Sequence, residues 1–484
     1  MFHDYPQGPF FDEVFTSQGD VRTHYRPLYR ELSRLSASSF PARHELAQRL
    51  FLRQGITFTL YGPDELAERT LPFDLVPRVI PHHEWEVIER GLRQRVEAIN
   101  LFLRDIYSEQ KVIRDGLISR EEVYSAKDFC LPMMNVPVSR GVHAVLSGID
   151  LIRDDKGEYH VLEDNLRVPS GIAYAFKNRD MMKRVFPEAF AAYQIASLEP
   201  FMQALADALY YLSPRQEAEP TVVLLTPGIY NSAYYDHSFL AQRLGIELVV
   251  GHDLVVMDQV VYMRTTQGFK RVDVIYRRLD DNFLDPLTFR GDSLIGVAGL
   301  FDAYRAGNVA IVNPWGNGVA DDKVIYAFLP ELIKYYLGED PIVQNVPTFL
   351  PYRERDFAWI EENIAQMVVK PTNASGGYGI FFGHQSTRDE CAQMLALLKA
   401  HPREYIAQPT LSLSRHPSFV EGRFLPCPID LRPFVVYGEH SVVMQGGLTR
   451  VALRKDSMVV NSSQGGGAKD TWTLIGKGGE DVHA

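Results

Sequence analysis

GIDLIRDDKGEYHVLEDNLRVPSG, residues 148–171, is the stretch of the chain that best indicates its fold. Two runs with alternating apolar residues flank the polar segment DDKGE, a pattern that predicts a β-hairpin. With Lys156 and Gly157 as a two-residue loop, Ile152 lies opposite Val161, and every other pair follows from that register.

The same register places Asp150 directly opposite Glu163. Two facing carboxylates weaken a sheet by roughly 0.2–1 kcal/mol unless a cation lies between them. Because side chains alternate along a strand, Asn165 shares the face of Glu163 while Asp164 points away. Carboxylate and amide oxygens are ligands that Mg²⁺ accepts. The hairpin therefore predicts a Mg²⁺ site of Asp150, Glu163 and Asn165, with a solvated hairpin carrying incidental acids as the alternative.

Composition restricts the class of protein. The chain has 484 residues, a length that suggests roughly three structural units. Of these residues 46% are hydrophobic and 23% charged, values typical of a globular protein. A net charge of −11 argues against nucleic-acid binding by bulk electrostatics. The chain starts without a secretory-signal pattern, and no apolar run reaches the roughly 18 residues of a membrane span. The three scattered cysteines lack metal-binding spacing, so we expect a soluble, cytoplasmic protein without a membrane partner.

Four units are predicted along the chain, and together they give an α/β (α+β) class. Residues 1–120 carry apolar residues at helical spacing, and 121–215 contain the hairpin and further helices. Residues 216–307 alternate TVVLLTPG, IELVVG and RVDVIYRRL with helical sequence, which predicts a small parallel α/β unit for substrate binding. Residues 308–484 are strand-rich and contain many glycines.

Ligands of parallel α/β units bind beyond the carboxyl ends of the strands. This rule picks out Asn231 and Ser232, either of which could also cap the following helix, and the pair Arg277 and Arg278. We predict substrate contacts for all four. Salt bridges to neighbouring aspartates are the equally weighted alternative for the two arginines.

MVVKPTNASGGYGIFFG, residues 367–383, predicts a phosphate-binding loop. A strand ends in a lysine, a small-residue loop follows, and a second strand leaves it. Glycines let backbone N–H groups approach a polyphosphate, and the lysine adds a positive charge. The loop lacks the Walker, dinucleotide-binding and kinase patterns, and a glycine hairpin without a ligand remains the alternative. The candidate nucleotide-binding residues here are Lys370, Ser375, Gly376, Gly377 and Gly379.

Polar residues with candidate roles follow in three later segments. IDLRPFVVYG contains Arg432, and GGLTRVALR contains Arg450. NSSQGGGAKDTW, residues 461–472, is a second glycine loop, in which Ser463 and Lys469 are candidates for substrate binding and a mobile turn is the alternative.

These segments together resemble the circularly permuted ATP-grasp family (type 2), which is distantly similar to glutathione and glutathionylspermidine synthetases. The resemblance covers nearly the whole chain, and the motifs occur in the family's order. They are FDEVF, FLRQGITFTLYG, FDLVPR, VLEDNLRVPSG, TPGIYNSAY, VDVIYRRLDDNFLDP, GVADDK, VVKPTNASGGYG, DLRPF, GGLTRVAL and NSSQGGGAKDTW.

The resemblance implies a circularly permuted ATP-grasp fold and an ATP- and Mg²⁺-dependent ligase. Such an enzyme joins a small-molecule or peptide carboxylate to an amine through an acyl phosphate. By position, Lys323 and Lys370 resemble the two phosphate-binding lysines, and Gln408 lies in the hinge that contacts adenine. Arg432 and Arg450 become catalytic candidates for binding the transferred phosphate or a substrate carboxylate. The hairpin residues correspond to the metal ligands, and the hairpin comes about 200 residues before the phosphate loop, hence the permutation.

Two departures from the family pattern accompany the resemblance. The run PTNAS directly after Lys370 contains no acidic residue, although related enzymes carry a metal-binding glutamate there, and Gln408 stands where a glutamate is common. An ATP-grasp phosphotransferase and a non-catalytic nucleotide-binding scaffold remain the alternative functions.

Overall fold

The computed structural model describes residues 2, 4–36, 38–61, 66–215, 219–372, 379–453 and 466–476. Four of the predicted site residues, Ser375, Gly376, Gly377 and Ser463, lie outside these ranges. The described chain mixes helices and sheets, in agreement with the predicted α/β class.

Most helices are short, and the longest, α3, has 25 residues. None of the helices in the described ranges combines the length and apolar character that crossing a membrane requires. The α-helices are α1 Arg26–Ser33, α2 Ser39–Arg53, α3 His82–Ile106, α4 Lys111–Arg114, α5 Arg120–Tyr124, α6 Ile172–Val185, α7 Pro187–Ala191, α8 Glu199–Tyr211, α9 Tyr234–Leu244, α10 Asp281–Leu284, α11 Leu300–Arg305, α12 Lys323–Ala327, α13 Leu329–Leu337, α14 Glu354–Asn363 and α15 Arg388–Ala400.

The strands form several sheets. They are β1 Thr57–Tyr61, β2 Leu66–Thr70, β3 Phe73–Ile80, β4 Leu146–Arg153, β5 Tyr159–Asn165, β6 Val222–Leu225, β7 Glu247–Val249, β8 Leu254–Met257, β9 Val260–Thr265, β10 Gly268–Arg271, β11 Val274–Arg277, β12 Ala310–Val312, β13 Gln344–Asn345, β14 Met367–Pro371, β15 Phe381–Phe382, β16 Tyr405–Pro409, β17 Arg415–Val420, β18 Arg423–Arg432, β19 Phe434–Tyr437, β20 Ser441–Val443, β21 Leu448–Val451 and β22 Gly467–Thr473.

A large, mainly antiparallel sheet forms the centre of the molecule. Its main path runs β13-β5-β4-β18-β21-β22-β3, with β17, β19 and β20 paired at its side. Strand β3 lies in the segment predicted to be helical, and β1 and β2 precede it. The prediction of a helical N-terminal region was therefore incomplete, because FDLVPRVI is a buried strand that pairs in parallel with β22 from the far end of the chain.

The hairpin β4–β5 lies inside this sheet. Asp150 is opposite Glu163, as predicted, but Ile152 is opposite His160 instead of Val161. The connecting loop is 154–158, closed by a bond of 3.0 Å from Asp154 N to Glu158 O, and is longer than the predicted two residues. A bulge at residue 162 then shifts the register by one residue, so the wrong loop length and the bulge compensate at the carboxylate pair.

Helices cover both faces of the hairpin. Ile149 and Leu151 pack toward α3, while Leu146 packs in the cluster that contains residues of α6. Asp164 binds Arg95 of α3 at 2.6 and 2.7 Å. Asp164 therefore points to the face opposite that of Asp150, as the alternation of side chains predicts.

The predicted parallel unit is present between residues 222 and 312. Its strand order is β12-β11-β6-β7, all parallel, with α9 connecting β6 to β7. Asn313, directly after β12, joins this sheet to the central one. Its side-chain oxygen accepts from the amides of Val145 and Leu146 at 2.8 and 3.0 Å, and its Nδ2 donates to the Leu146 carbonyl at 2.7 Å.

A small antiparallel sheet, β15-β14-β16, follows the parallel unit. Met367 and Val369 of β14 pack on Ile360 of α14 and Leu398 of α15. Because side chains alternate along a strand, Lys370 lies on the opposite face from this apolar cluster. Apolar packing on one side of β14 thus directs Lys370 to the other side.

Candidate functional site

Charged side chains from three separate segments come together beside the hairpin. Lys323 Nζ, at the start of α12, lies 3.3 Å from Glu163 Oε1. Burial, together with the charge of Lys323, lowers the pKa of Lys370 to about 8, although the charges of Glu163 and Asp150 oppose this shift. Lys370 thus lies close enough to Lys323, Glu163 and Asp150 for their charges to shift its pKa. The structure brings together the predicted metal hairpin and both predicted phosphate-binding lysines.

The two lysines are held by specific neighbours. The Asp322 side chain accepts a hydrogen bond of 2.8 Å from Val324 N, which caps α12 and fixes Lys323 as its first residue. Lys370 Nζ donates to Gln408 Oε1 at 2.7 Å, and Gln408 Nε2 donates to Thr348 Oγ1 at 2.9 Å. Gln408 is buried and orients Lys370 in this structure, a contact that the predicted adenine hinge did not include.

Asp150 is surrounded by arginines. Its Oδ1 accepts from Arg432 at 2.6 Å, and its Oδ2 accepts from Arg432 at 2.7 Å and Arg450 at 2.8 Å. Arg450 also pairs with Asp430. Burial alone would raise the pKa of Asp150, which is 2% exposed, but the two guanidinium charges outweigh it and lower the pKa.

These ion pairs bear on three predicted roles. Both carboxylate oxygens of Asp150 accept hydrogen bonds from arginine, so a metal would have to compete with two guanidinium groups for them. Arg450 is buried between two carboxylates and is not directed at a ligand. Arg432 keeps 14% of its side chain exposed and is the member of the group nearest to solvent.

Glu163 and Asn165 fit a Mg²⁺ ion better than Asp150 does. The Glu163 side chain is 30% exposed. Asn165 Nδ2 is buried without a hydrogen-bond partner among the described residues and remains a donor available to a phosphate oxygen, while the amide oxygen is the atom that would hold a metal. One carboxylate and one amide oxygen, completed by phosphate oxygens and water, form a hard-oxygen set of the kind Mg²⁺ uses with nucleotides. Two lysines held near each other likewise suit a polyphosphate, whose charge would offset their repulsion.

A charged cluster next to Asn165 was not anticipated. Arg167 Nε lies 3.1 Å from Asp321 Oδ2, and Arg167 NH1 lies 3.4 Å from Asp128 and 3.6 Å from Asp280. Burial raises the pKa of Asp321 to about 7 although Arg167 opposes the shift. The sequence signal was partial: Arg167 lies in the hairpin stretch and Asp321 in GVADDK, but the other two aspartates come from distant loops.

Arg277 and Arg278 are both buried, and Arg277 NH2 lies 2.5 Å from Asp281 Oδ1, the salt bridge that was the alternative for this residue. Their substrate contacts stay a prediction. Arg277 donates to the carbonyls of Asn313 at 2.6 Å and Leu279 at 2.7 Å. Arg278 donates to the Pro169 carbonyl at 2.7 Å. The guanidinium groups satisfy backbone carbonyls at the carboxyl edge of the parallel sheet, so they build this edge instead of presenting charge to a ligand.

Asn231 and Ser232 lie beyond the carboxyl end of β6, where the prediction placed them, and both are half-buried. Asn231 Oδ1 accepts a bond of 2.9 Å from Ala233 N, and α9 begins only at Tyr234, so neither residue is the helix cap. Gly379 has a φ of +73°, a left-handed conformation that favours glycine at the end of the phosphate loop.

Lys469 is 0% exposed, a burial that the sequence did not predict, and its substrate role stays a prediction. Its ammonium group binds Asp74 and donates to the carbonyls of Val76 at 3.2 Å and Pro417 at 3.1 Å. Strand β22, on which it lies, is buried along its whole length. The glycine run before this strand suggested a surface loop, whereas the lysine itself belongs to the core.

The sequence of this chain is similar to those of known proteins. The sequence model "Circularly permuted ATP-grasp type 2" matches residues 77–452. An uncharacterized protein of Synechocystis sp. is 48% identical over 477 residues, 98% of this chain and 99% of the relative. A Frankia alni protein whose name provisionally assigns it as a glutamate–cysteine ligase is 39% identical over 96% of this chain and 53% of its own length.

One solved structure, a glutathione synthetase-like effector from Globodera pallida in the apo form, matches with a TM-score of 0.61. The match covers 91% of this chain and 98% of that chain at 12% sequence identity, a level that shows a shared fold alone.

Proposed function

The chain belongs to the circularly permuted ATP-grasp type 2 family, and from this premise we propose that it is an ATP- and Mg²⁺-dependent ligase that joins a carboxylate to an amine. The observation that carries the proposal is the convergence of Lys323 and Lys370 on Glu163, with Asn165 beside it. Two cations and a set of hard oxygen ligands in one place are what a metal–nucleotide site requires.

The proposed reaction has two steps. A carboxylate oxygen of the first substrate attacks the γ-phosphorus of ATP, and ADP leaves with the electron pair of the broken P–O bond. The amine nitrogen of the second substrate then attacks the acyl carbon, phosphate leaves, and the nitrogen loses a proton as the amide forms. No nucleophile from the protein is needed, so catalysis rests on positioning and charge neutralisation.

Each residue has a defined part in this proposal. Lys323 and Lys370 bind phosphate oxygens, and Gln408 keeps the Lys370 ammonium in place. Mg²⁺, held by Glu163 and Asn165, would supply further positive charge to the phosphates. Nucleotide contacts from the loop at 373–379 complete the proposed site.

We assign Asp150 the role of a positioning residue. It holds Arg432 through two hydrogen bonds, and Arg432 is the arginine of the group nearest to solvent. Fixed in this way, Arg432 is the candidate for binding the transferred phosphate or the substrate carboxylate. Arg450 then acts through Asp150, because its guanidinium is shared between Asp150 and Asp430.

The named relative supports the same class of chemistry, because a glutamate–cysteine ligase joins a carboxylate to an amine. Small-molecule or peptide substrates therefore remain the proposed partners. We also propose a cytoplasmic location, for which the support is the three free, buried cysteines.

An ADP-release assay with Mg²⁺ and pools of amino acids, peptides and polyamines tests the function. Turnover that needs both a carboxylate and an amine is the expected result. Turnover without any amine would favour a phosphotransferase instead. Absence of nucleotide binding in calorimetry with Mg²⁺ present would contradict both enzymatic functions. Lys370→Gln should abolish ADP release, whereas Lys334→Gln, a matched change of a solvent-exposed lysine, should not.

A further inference from the structure

A separate cleft lies at the C-terminal end of α3, outside the residues that converge on Lys370. Its volume is about 560 Å³, within the roughly 300–1,000 Å³ typical of small-molecule sites. Its lining includes Arg104 of α3 and Tyr107, which directly follows this helix. Asn135, Arg140 and His143 line it from the loop that leads into β4.

The cleft is positively charged although the chain as a whole carries −11. Among the described residues, neither Arg104 nor Arg140 has a carboxylate at ion-pair distance. The one acid in the described lining, Glu109, is paired with Lys111 at 2.8 Å. Two guanidinium groups without an ion-pair partner therefore face one acid in the lining of this small cavity, which leaves its described lining with a net positive charge.

The Arg140 side chain is held in place without being neutralised. Its Nε donates to the Tyr211 carbonyl at 3.3 Å, and its guanidinium lies 5.1 Å from the centre of the Tyr211 ring. These contacts reduce the entropy that Arg140 would lose on binding a ligand.

His143 adds an unsatisfied polar group to the same cavity. It is only 4% exposed, and its Nδ1 has no hydrogen-bond partner. Burial, with a smaller contribution from Arg104, lowers the pKa of His143 to about 4, so the ring is neutral near pH 7. A buried polar atom without a partner is destabilising, and a ligand that pairs with it would remove this cost.

The backbone of the cleft is also unusual. Asn135 has a φ of +59° and Arg140 a φ of +53°, both in the left-handed region. Residues with side chains rarely adopt this conformation, and such positions concentrate at ligand-binding and catalytic sites. Asn135 and Arg140 therefore reach the cleft from an unfavourable backbone conformation.

We propose that this cleft binds a small phosphate-bearing molecule between Arg104 and Arg140. A phosphate monoester carries about −1.5 to −2 charge and three acceptor oxygens, enough for two guanidinium groups and a neutral donor. A single carboxylate carries one negative charge, which one arginine already balances, so it suits a cleft with two arginines less well. The remaining volume accommodates the organic part of the molecule.

Equilibrium binding of inorganic phosphate, measured by calorimetry at constant ionic strength in chloride, tests the proposal. We expect saturable binding to the wild type and to Lys370→Gln, which keeps the cleft intact. The double variant Arg104→Gln/Arg140→Gln should bind at least about tenfold more weakly, as loss of charge-assisted hydrogen bonds predicts. Arg305→Gln, a change of an exposed arginine on α11, should bind like the wild type.

Three outcomes would overturn the proposal. Absence of saturable binding to the wild type would remove the site. Equal affinity of the double variant would place the phosphate elsewhere, and loss of binding in Lys370→Gln would assign it to the nucleotide site. Malonate serves as the carboxylate probe, and an affinity equal to that of phosphate would contradict the assigned ligand class.

Discussion

Lys370 is buried among charges of both signs, and its pKa determines how the site responds to pH. Burial lowers this pKa to about 8, well below the value in an unfolded chain. Below pH 8 the lysine is charged in both states, so folding carries the full cost of burying the charge. That cost disappears as pH rises from about 8 toward the unfolded pKa, and the phosphate-binding charge is lost over the same range.

The rate constant kcat/KM for ATP should therefore fall as pH rises above about 8, because the neutral amine no longer attracts phosphate. Lys370→Arg keeps its charge at every accessible pH, so its profile should lose this decline even if its maximal rate is lower. The measurement is the pH profile of ADP release for both proteins, with Lys334→Arg as the exposed control. An unchanged decline in Lys370→Arg would show that another group is responsible.

Glu163 is the second residue whose charge the proposed site needs. Glu163→Gln removes the carboxylate that lies 3.3 Å from Lys323 while keeping the shape of the side chain. We expect ADP release to fall by about 10²–10³-fold, the size typical for loss of one preorganised electrostatic contact. Stability should change by less than about 1 kcal/mol, because the ion pair is partly exposed. Wild-type turnover in this variant would refute the metal role of Glu163.

At the scale of elements, the β4–β5 hairpin shows which features of the fold its sequence predicts and which it does not. Alternation correctly turned Asp164 away from Asp150, whereas the predicted pairing of Asp150 with Glu163 holds because the longer loop and the bulge compensate. The bulge at residue 162 was not predictable, since nothing in VLEDN marks it. The partners of Asp150 also come from strands β18 and β21, nearly 300 residues away, and local sequence does not report such neighbours.

The same limit explains why the burial of Arg277, Arg278 and Lys469 was not predicted. The rule that ligands bind at the carboxyl edge of a parallel sheet identifies the correct loops, but a long cation at that edge can also turn inward. Arg277 does so because the carbonyl of Asn313 after β12 accepts from its guanidinium and the carboxylate of Asp281 pairs with it. Lys469 does so because Asp74 of β3 is buried beside it.

Asp150→Asn tests the difference between the two acids of the hairpin. The substitution removes the negative charge that the buried Arg450 and the partly buried Arg432 share, and breaking a buried ion pair costs about 3–5 kcal/mol. Urea unfolding should show this loss, whereas Glu163→Gln should unfold near the wild-type midpoint. A cost below about 1 kcal/mol for Asp150→Asn would mean that the arginines do not depend on Asp150, and the positioning role would fail.

At the scale of the whole molecule, the parallel unit supports the segment that leaves the hairpin. Arg278 of this unit donates to the Pro169 carbonyl, and Asp236 of α9 accepts from Ala173 N at 2.7 Å. Asn313 binds the backbone of β4. The position of the chain after Asn165 therefore depends on residues of the parallel unit, although no charge of that unit was found where the sequence predicted a substrate contact.

Because the proposed nucleotide site joins the hairpin to the segment from Lys323 to Gln408, nucleotide binding should stabilise the molecule as a whole. At a concentration about 100 times its Kd, a ligand that binds only the folded state adds about 2.7 kcal/mol. With an unfolding entropy of about 2.1 cal/mol/K per residue, this corresponds to roughly 3 °C for a chain of 484 residues. Differential scanning calorimetry with Mg²⁺ and ADP measures the shift.

Removal of the metal provides the control for this prediction. EDTA should abolish most of the shift if Glu163 and Asn165 hold Mg²⁺ against the phosphates, and Glu163→Gln should lose it even with Mg²⁺ present. Lys334→Gln, with its exposed lysine, should show the full shift. A shift that persists in EDTA and in Glu163→Gln would mean that the lysines alone hold the nucleotide, because the ion would then contribute nothing to binding at this site.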